Sequence, residues 1–203
     1  MSETSDISTG STSAHLPALS MAEFDVLGEH VFCDDRIGIE CREIDSLPDE
    51  PVLSRRDQRN EKILRAVALL EEHDQTQSDS AERAEMHRLE GKLDLVLELV
   101  TALVRERQGS AALCNARFNA RGLCWDSPTE LKKGLLIDVD LFVLPQWPLP
   151  ITFSARVVDS SRSGETWRIC TRLEGLSHMS REWLGKLVFR RHRRTVALQR
   201  ARG

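Results

Sequence analysis

The residues with the clearest chemistry are paired arginines. Arg55 and Arg59 stand four apart in RRDQR, and Arg117 and Arg121 stand four apart in RFNARG. Two guanidiniums on one face offer forked donors to phosphate oxygens or guanine edges. On a strand, positions i and i+4 share a face, so Arg117 and Arg121 can point at one phosphate-bearing ligand. The competing reading is a basic strand face paired with Asp138 or Asp140 of a neighbouring strand. Arg55 and Arg59 open a helical pattern, where the plain reading is a solvated helix start. A third basic group, RRHRR at 190–194, has the composition of a nucleic-acid or membrane patch. It lacks interleaved aromatics in a chain of net charge −4, so nucleic acid is not the expected partner. A solvated, partner-binding helix end is expected instead.

No constellation for catalysis accompanies these arginines. The six histidines show no metal-ligand spacing, and no G-x-S-x-G, Walker A or H-E-x-x-H string occurs. Asp138 and Asp140 share a strand face, but two carboxylates on an open surface do not make an acid–base pair. The five cysteines, at 33, 41, 114, 124 and 170, contain no C-x-x-C pair and are expected to be reduced core residues. The expectation is a protein that is not an enzyme and carries no metal or cofactor. Trp125, Trp167 and Trp183 are expected to pack in or on the core, and Trp147, in a Pro-rich loop, to be the tryptophan best placed for a partner contact.

The elements that position these groups are of two kinds. Residues 31–44 have the partial alternation of one or two short strands, and SLPDEP then breaks the chain at Pro48 and Pro51. From Arg55 the pattern is helical, with Ile63, Ala66, Val67 and Leu70 on one stripe. After a polar turn, a second helix is predicted from about Ser80 to Gln108, about 40 Å long. Its Met86, Leu89, Leu93, Val96, Val100 and Leu103 follow spacings of 3, 4, 3, 4 and 3, a heptad seam. Leu97, Leu99 and Val104 widen that seam beyond what a two-stranded coil needs, so a homo-oligomer is expected, a tetramer rather than a dimer. From Phe118 the period becomes two. Ile137, Val139, Leu141 and Val143 form one apolar face, Ile151, Phe153, Ala155 and Val157 a second, and Trp167, Ile169, Thr171 and Leu173 a third. A hairpin turn is predicted at 159–165. A closing helix from about Ser180 buries Leu184, Leu187 and Val188. The fold class is therefore α+β: a small antiparallel β-barrel interrupted by a long coiled-coil helical hairpin and closed by a C-terminal helix.

Charge is distributed unevenly. Residues 1–50 carry twelve acids against Arg36 and Arg42, and residues 181–203 carry eight Arg and Lys against Glu182. Attraction between these ends, within or between chains, is expected. The first twenty residues, rich in Ser and Thr, have neither the basic start nor the apolar stretch of a secretory signal and read as a disordered leader. No run approaches the roughly eighteen apolar residues of a membrane span. A cytoplasmic protein is expected, with residues 21–203 as one domain, a helical insertion at about 53–108 and the main β portion at about 115–203.

The stretch from Phe118 to Arg194 resembles the PilZ domain family. The features that carry the resemblance are FNARGLCWD, the strand GLLIDVDLFV, the hairpin ITFSARVVDSSRSGETWRICTRLEGLS and the helix REWLGKLVFRRHRR, in that order. The resemblance implies a receptor module for the bacterial second messenger cyclic di-GMP. It also implies a place in the control of type IV pili, motility or virulence, alongside a protein partner of that machinery. The family's ligand motif pairs R-x-x-x-R with D/N-x-S-x-x-G. In this chain the second motif aligns with Arg117 to Gly122, where only the glycine is kept: Arg117 stands at the acid or amide position and Asn119 at the serine. The expectation is a degenerate PilZ domain that does not take cyclic di-GMP through the usual motif. The alternative is an atypical receptor in which Arg55, Arg59, Arg117, Asn119, Arg121 and Gly122 contribute to a cyclic di-GMP site.

Overall fold

The computed structural model describes residues 19–73, 111–144 and 149–202, together with Leu93, Val96 and Val100. The elements are α1 (Met21–Leu27), β1 (Cys33–Glu43), α2 (Glu50–His73), β2 (Leu113–Phe118), β3 (Gly122–Ser127), β4 (Leu136–Phe142), β5 (Ile151–Ser163), β6 (Thr166–Glu174) and α3 (His178–Arg202). The six strands close into an antiparallel barrel in the order β1-β2-β3-β6-β5-β4. The small antiparallel barrel with a C-terminal helix is therefore as the sequence predicts. β1 closes it by pairing with β2 on one side and β4 on the other, so the segment before the helical insertion completes the sheet.

The barrel closes because the strands alternate cleanly. Ile137, Val139, Leu141, Ile151, Phe153, Ala155, Val157, Ile169 and Leu173 are all buried and meet Phe118, Leu123 and Trp125 in one core. The open end of the barrel is stoppered by Ile63, Leu64 and Val67 of α2 and by Leu184, Leu187 and Val188 of α3. On α2 the buried stripe includes Leu64 and Ala68, while Ala66 is only half-buried, a slight rotation from the predicted stripe. The helix also starts earlier than expected. Pro51 does not break it but occupies its first turn, where its fixed φ fits and its missing N–H is not needed. The β5–β6 hairpin is tighter than predicted: β5 runs to Ser163, leaving the turn to Gly164 and Glu165.

α2 and α3 run side by side in the same direction. Asp57 accepts from Ser177 N and from the Ser180 hydroxyl at the start of α3, Arg65 lies over the Trp183 ring, and Arg190 donates to Ala68 O. The Asp57 carboxylate thus sits at the positive end of the α3 dipole. Of the second predicted helix, only Leu93, Val96 and Val100 fall within the described residues. They are helical, and 59%, 56% and 46% exposed. Met86, Leu89 and Leu103 lie outside the described residues, as do Trp147 and most of the expected leader. Among the described residues, no helix is long and apolar enough to cross a membrane.

One element was not foreseen, the short helix α1. Ser20 caps it: its hydroxyl accepts from Glu23 N at 3.3 Å, while the Glu23 carboxylate accepts from Ser20 N at 2.8 Å. This reciprocal box satisfies two of the donors a helix start leaves open. Gly28, at φ 67°, ends the helix by donating to Phe24 O.

Candidate functional site: the β2–β3 hairpin beneath α1

The hairpin joining β2 to β3 carries Arg117, Asn119, Arg121 and Gly122, and α1 lies across it. Arg117 is buried, not displayed. Its Nη1 donates to both oxygens of Glu23, at 3.3 and 3.1 Å, and its Nε donates to Asp34 at 3.0 Å. Arg168, from β6, grips the same Glu23 carboxylate through Nε at 3.0 Å and Nη2 at 2.6 Å, and Nη1 reaches Asp126 at 2.9 Å. Two guanidiniums are thus surrounded by three carboxylates. Burial works to raise the Glu23 pKa. The Ser20 N–H, Arg168 and Arg117 outweigh it and hold the carboxyl below its usual value.

The other hairpin residues also serve α1. Asn119 is buried; its Nδ2 donates to Leu27 O at 2.9 Å, while its Oδ1 accepts from Arg121 N and Gly122 N. One amide therefore builds the turn and caps the last carbonyl of α1. Gly122 is where the helix comes closest: a Cβ there would stand 2.0 Å from Val26 Cγ1 and 2.8 Å from Thr171 O. Beneath Val26 and Leu27 lie Cys124 and Cys170, forming a small apolar cluster outside the barrel core. Arg121 is the exposed member and meets the His30 ring at 2.9 Å. The predicted strand face shared by Arg117 and Arg121 is thus divided, and neither pairs with Asp138 or Asp140.

Asp138 has other partners. It accepts two hydrogen bonds from Arg56, one from Arg42 and one from the Ser154 hydroxyl. Burial tends to raise its pKa, but Arg56, Ser154 and Arg42 together bring it below the usual value. Beside it, Asn60 donates to Thr152 O and accepts from Thr152 N, acting as a one-residue strand at the point where β5 has not yet met β6. A cleft of about 450 Å³ opens here, lined among others by Arg42, Arg56, Arg59, Asp140, Phe142 and Leu149. Arg59 is exposed and has no ion-pair partner among the described residues; Arg55 donates to Pro51 O in its own helix. No hydrogen bond or ion pair joins Arg55 or Arg59 to Arg117, Asn119, Arg121 or Gly122. The six predicted ligand residues therefore fall into two separate groups.

Glu23 and Arg168 escaped the reading of the sequence. Ser20-x-x-Glu23 is a capping-box signature that marks α1, but Arg168 read only as one of several outward residues of a strand. The expected attraction between the acidic and basic ends is present within the chain, where Arg191 pairs with Asp35 at 3.1 Å. Arg191 is accordingly only 12% exposed, so the basic run is not wholly solvated. Among the described residues, no group of three or more His, Cys, Asp or Glu side chains could hold a metal ion.

The class of fold is a six-stranded antiparallel barrel stoppered by two helices, with a glycine-bearing hairpin on its outer wall. The family follows from comparison. A model of the atypical PilZ domain, cyclic di-GMP receptor, matches residues 64–201, and the chain belongs to that family. That family is described as one of cyclic di-GMP receptors. A crystal structure of a pathogenic protein from Xanthomonas campestris has the same fold, at a TM-score of 0.70 and 24% identity over 87% of this chain and 96% of that one. That protein is described as a tetrameric PilZ domain self-assembled via an unusual helical bundle. No curated protein matches.

Proposed function

We propose that this protein is a non-catalytic PilZ-type adaptor in cyclic di-GMP-linked control of bacterial pili, motility or virulence. In this reading it acts in the cytoplasm by protein–protein contact and does not take cyclic di-GMP through the family's usual motif. The observation that carries the reading is the cluster at Arg117. The Arg117 and Arg168 guanidiniums already hold carboxylates, and the three acids Glu23, Asp34 and Asp126 outnumber these two. A phosphodiester would have to displace Glu23 and would still meet the like charges of Asp34 and Asp126. Val26, moreover, fills the approach to Gly122 that a ligand would need.

The heptad face of the insertion supports self-assembly, a tetramer rather than a dimer. Leu93, Val96 and Val100 share one helix face and are about half exposed in the single chain. The described tetramer of the Xanthomonas protein favours the same arrangement here. Several copies of one weak surface around a common core would bind a partner by avidity.

A second reading is favoured by the cleft beside α2: cyclic di-GMP held atypically by Arg59 with Arg42 and Arg56. Calorimetric titration with cyclic di-GMP, with light scattering before and after, tests both. No heat at ligand concentrations that saturate ordinary PilZ domains supports the adaptor. Binding that is lost in Arg59→Ala supports the second reading and overturns the first.

A further inference from the structure

Cys124 and Cys170 occupy an unusual place. They are direct partners across β3 and β6, and both are fully buried, yet they face away from the barrel core. Their cover is α1: Val26 and Leu27 complete the cluster, with Leu19, Ala22, Phe32 and Val158 around it. The ladder fixes what kind of pair they form. Leu173 N donates to Arg121 O, so the Arg121/Leu173 and Leu123/Thr171 positions are the hydrogen-bonded ones, and Cys124/Cys170 is a non-hydrogen-bonded pair. Side chains are closest there, with Cα atoms about 4.5 Å apart, inside the range a disulfide accepts.

We propose that Cys124 and Cys170 are a dithiol–disulfide couple whose oxidation is gated by α1. With a peroxide as oxidant, one sulfur attacks the O–O bond, giving a sulfenic acid and water. The second sulfur then displaces the hydroxyl, which leaves as a second water. Two S–H bonds are lost, one S–S bond forms, and the two electrons reduce one hydrogen peroxide to two waters. While α1 is docked, neither step proceeds. The peroxide has no path to either sulfur, and the Cys124 thiol is pushed well above its usual pKa by the adjoining Cys170 thiol and then by burial. Lifting α1 removes Val26 and Leu27 and opens the pair to solvent.

The coupling runs in both directions. Closing the S–S bond draws the sulfurs from contact distance to about 2.05 Å and takes packing surface from Val26 and Leu27. Oxidation therefore weakens α1 docking by the same factor by which undocking favours oxidation. The released helix would uncover Gly122 and free the Glu23 ligands Arg117 and Arg168, joining oxidation state to the hairpin that the family uses for recognition.

The test uses the full-length protein, treated with hydrogen peroxide under native conditions, quenched by alkylation and mapped by peptide mass spectrometry. Val26→Asp expels α1 by placing a charge against Gly122, and Glu23→Gln loosens it without adding one. Both should form the Cys124–Cys170 linkage about tenfold faster than the native chain or more, in step with how often the cover opens. Cys170→Ser in the Val26→Asp background should stop at sulfenic acid on Cys124. If Val26→Asp does not fold, Glu23→Gln decides alone. The proposal is overturned if folded variants leave both cysteines as alkylatable thiols, or if the native protein forms the linkage as fast as they do.

Discussion

Gly122 and Val26 are packed so closely that the backbone of β3 and the side chain of α1 share one space: a Cβ on the glycine would stand 2.0 Å from Val26 Cγ1. Gly122, which the sequence aligns with the glycine of the PilZ ligand motif, is occupied by a helix from the same chain. Gly122→Ala should therefore unseat α1. Thr171 O, 2.8 Å from the same Cβ, adds a clash that the rigid sheet relieves poorly. Overpacking of this kind costs about 1–3 kcal/mol. Thermal denaturation should show the loss, and limited proteolysis should cut before residue 30 faster than in the native protein. Unchanged cleavage would mean that α1 does not depend on this contact.

The barrel was legible because its strands alternate from Ile137 to Leu141 and from Ile151 to Val157, and a period of two admits one inward face. β1 was legible only as a blurred pattern, since Asp34 and Asp35 are charges whose partners, Arg117 and Arg191, come from distant elements. The site was half legible. The exchange of the motif's acid for Arg117 could be read from the string. Its consequence could not, because it depends on Glu23, 94 residues away, reaching the same guanidinium. Likewise Asp138 reads as an exposed strand residue until Arg56 of α2 is brought over it. Period and composition report which face a residue takes; they do not report which charges will meet on it.

Asp138 and Asn60 together fasten α2 to the barrel wall. Asp138→Ala strands the Arg56 guanidinium, whose side chain is 20% exposed, and leaves the Ser154 hydroxyl without its acceptor. Breaking one side of a buried ion pair costs about 3–5 kcal/mol. Asn60→Ala unpairs Thr152 N and O at the end of β5 and should cost about 1–3 kcal/mol. In urea denaturation both variants should lower the midpoint, Asp138→Ala more. An effect of Asn60→Ala no greater than that of an exposed helix alanine would remove the strand-like role from this amide.

Acid should destabilise the fold through its buried carboxylates. Glu23 and Asp138 are both held below their usual pKa in the folded chain, so the unfolded chain binds more protons around pH 4. Their contribution is fully present above the unfolded pKa values and is lost as pH falls through the lowered folded ones. Denaturation midpoints from these groups should be level between about pH 5 and 7 and fall steadily below about pH 4. Glu23→Gln should flatten part of that fall, since its amide does not titrate. A native-like slope in the variant would assign the acid sensitivity to other groups.

The exposed heptad face makes the last prediction. Leu93, Val96 and Val100 follow one another by three and four residues along a helix, and in the single chain each shows roughly half its surface to water. Burying the half of each aliphatic side chain that is still exposed is worth about 1 kcal/mol, and the gain recurs for every copy in a symmetric bundle. Leu93→Glu with Val100→Glu places two like charges per chain at that seam. Light scattering should then report the mass of one chain where the native protein shows an oligomer, while circular dichroism shows the barrel unchanged. Because α1, the Arg117 cluster and the cleft at Arg59 are all built within one chain, the monomeric variant should keep the native response to cyclic di-GMP, whether silent or binding. It should lose only what depends on several copies acting at once, which is the affinity for a partner that engages more than one head. A native protein that is already monomeric would instead require the heptad face to be covered by its own chain, and avidity would have no part in the mechanism.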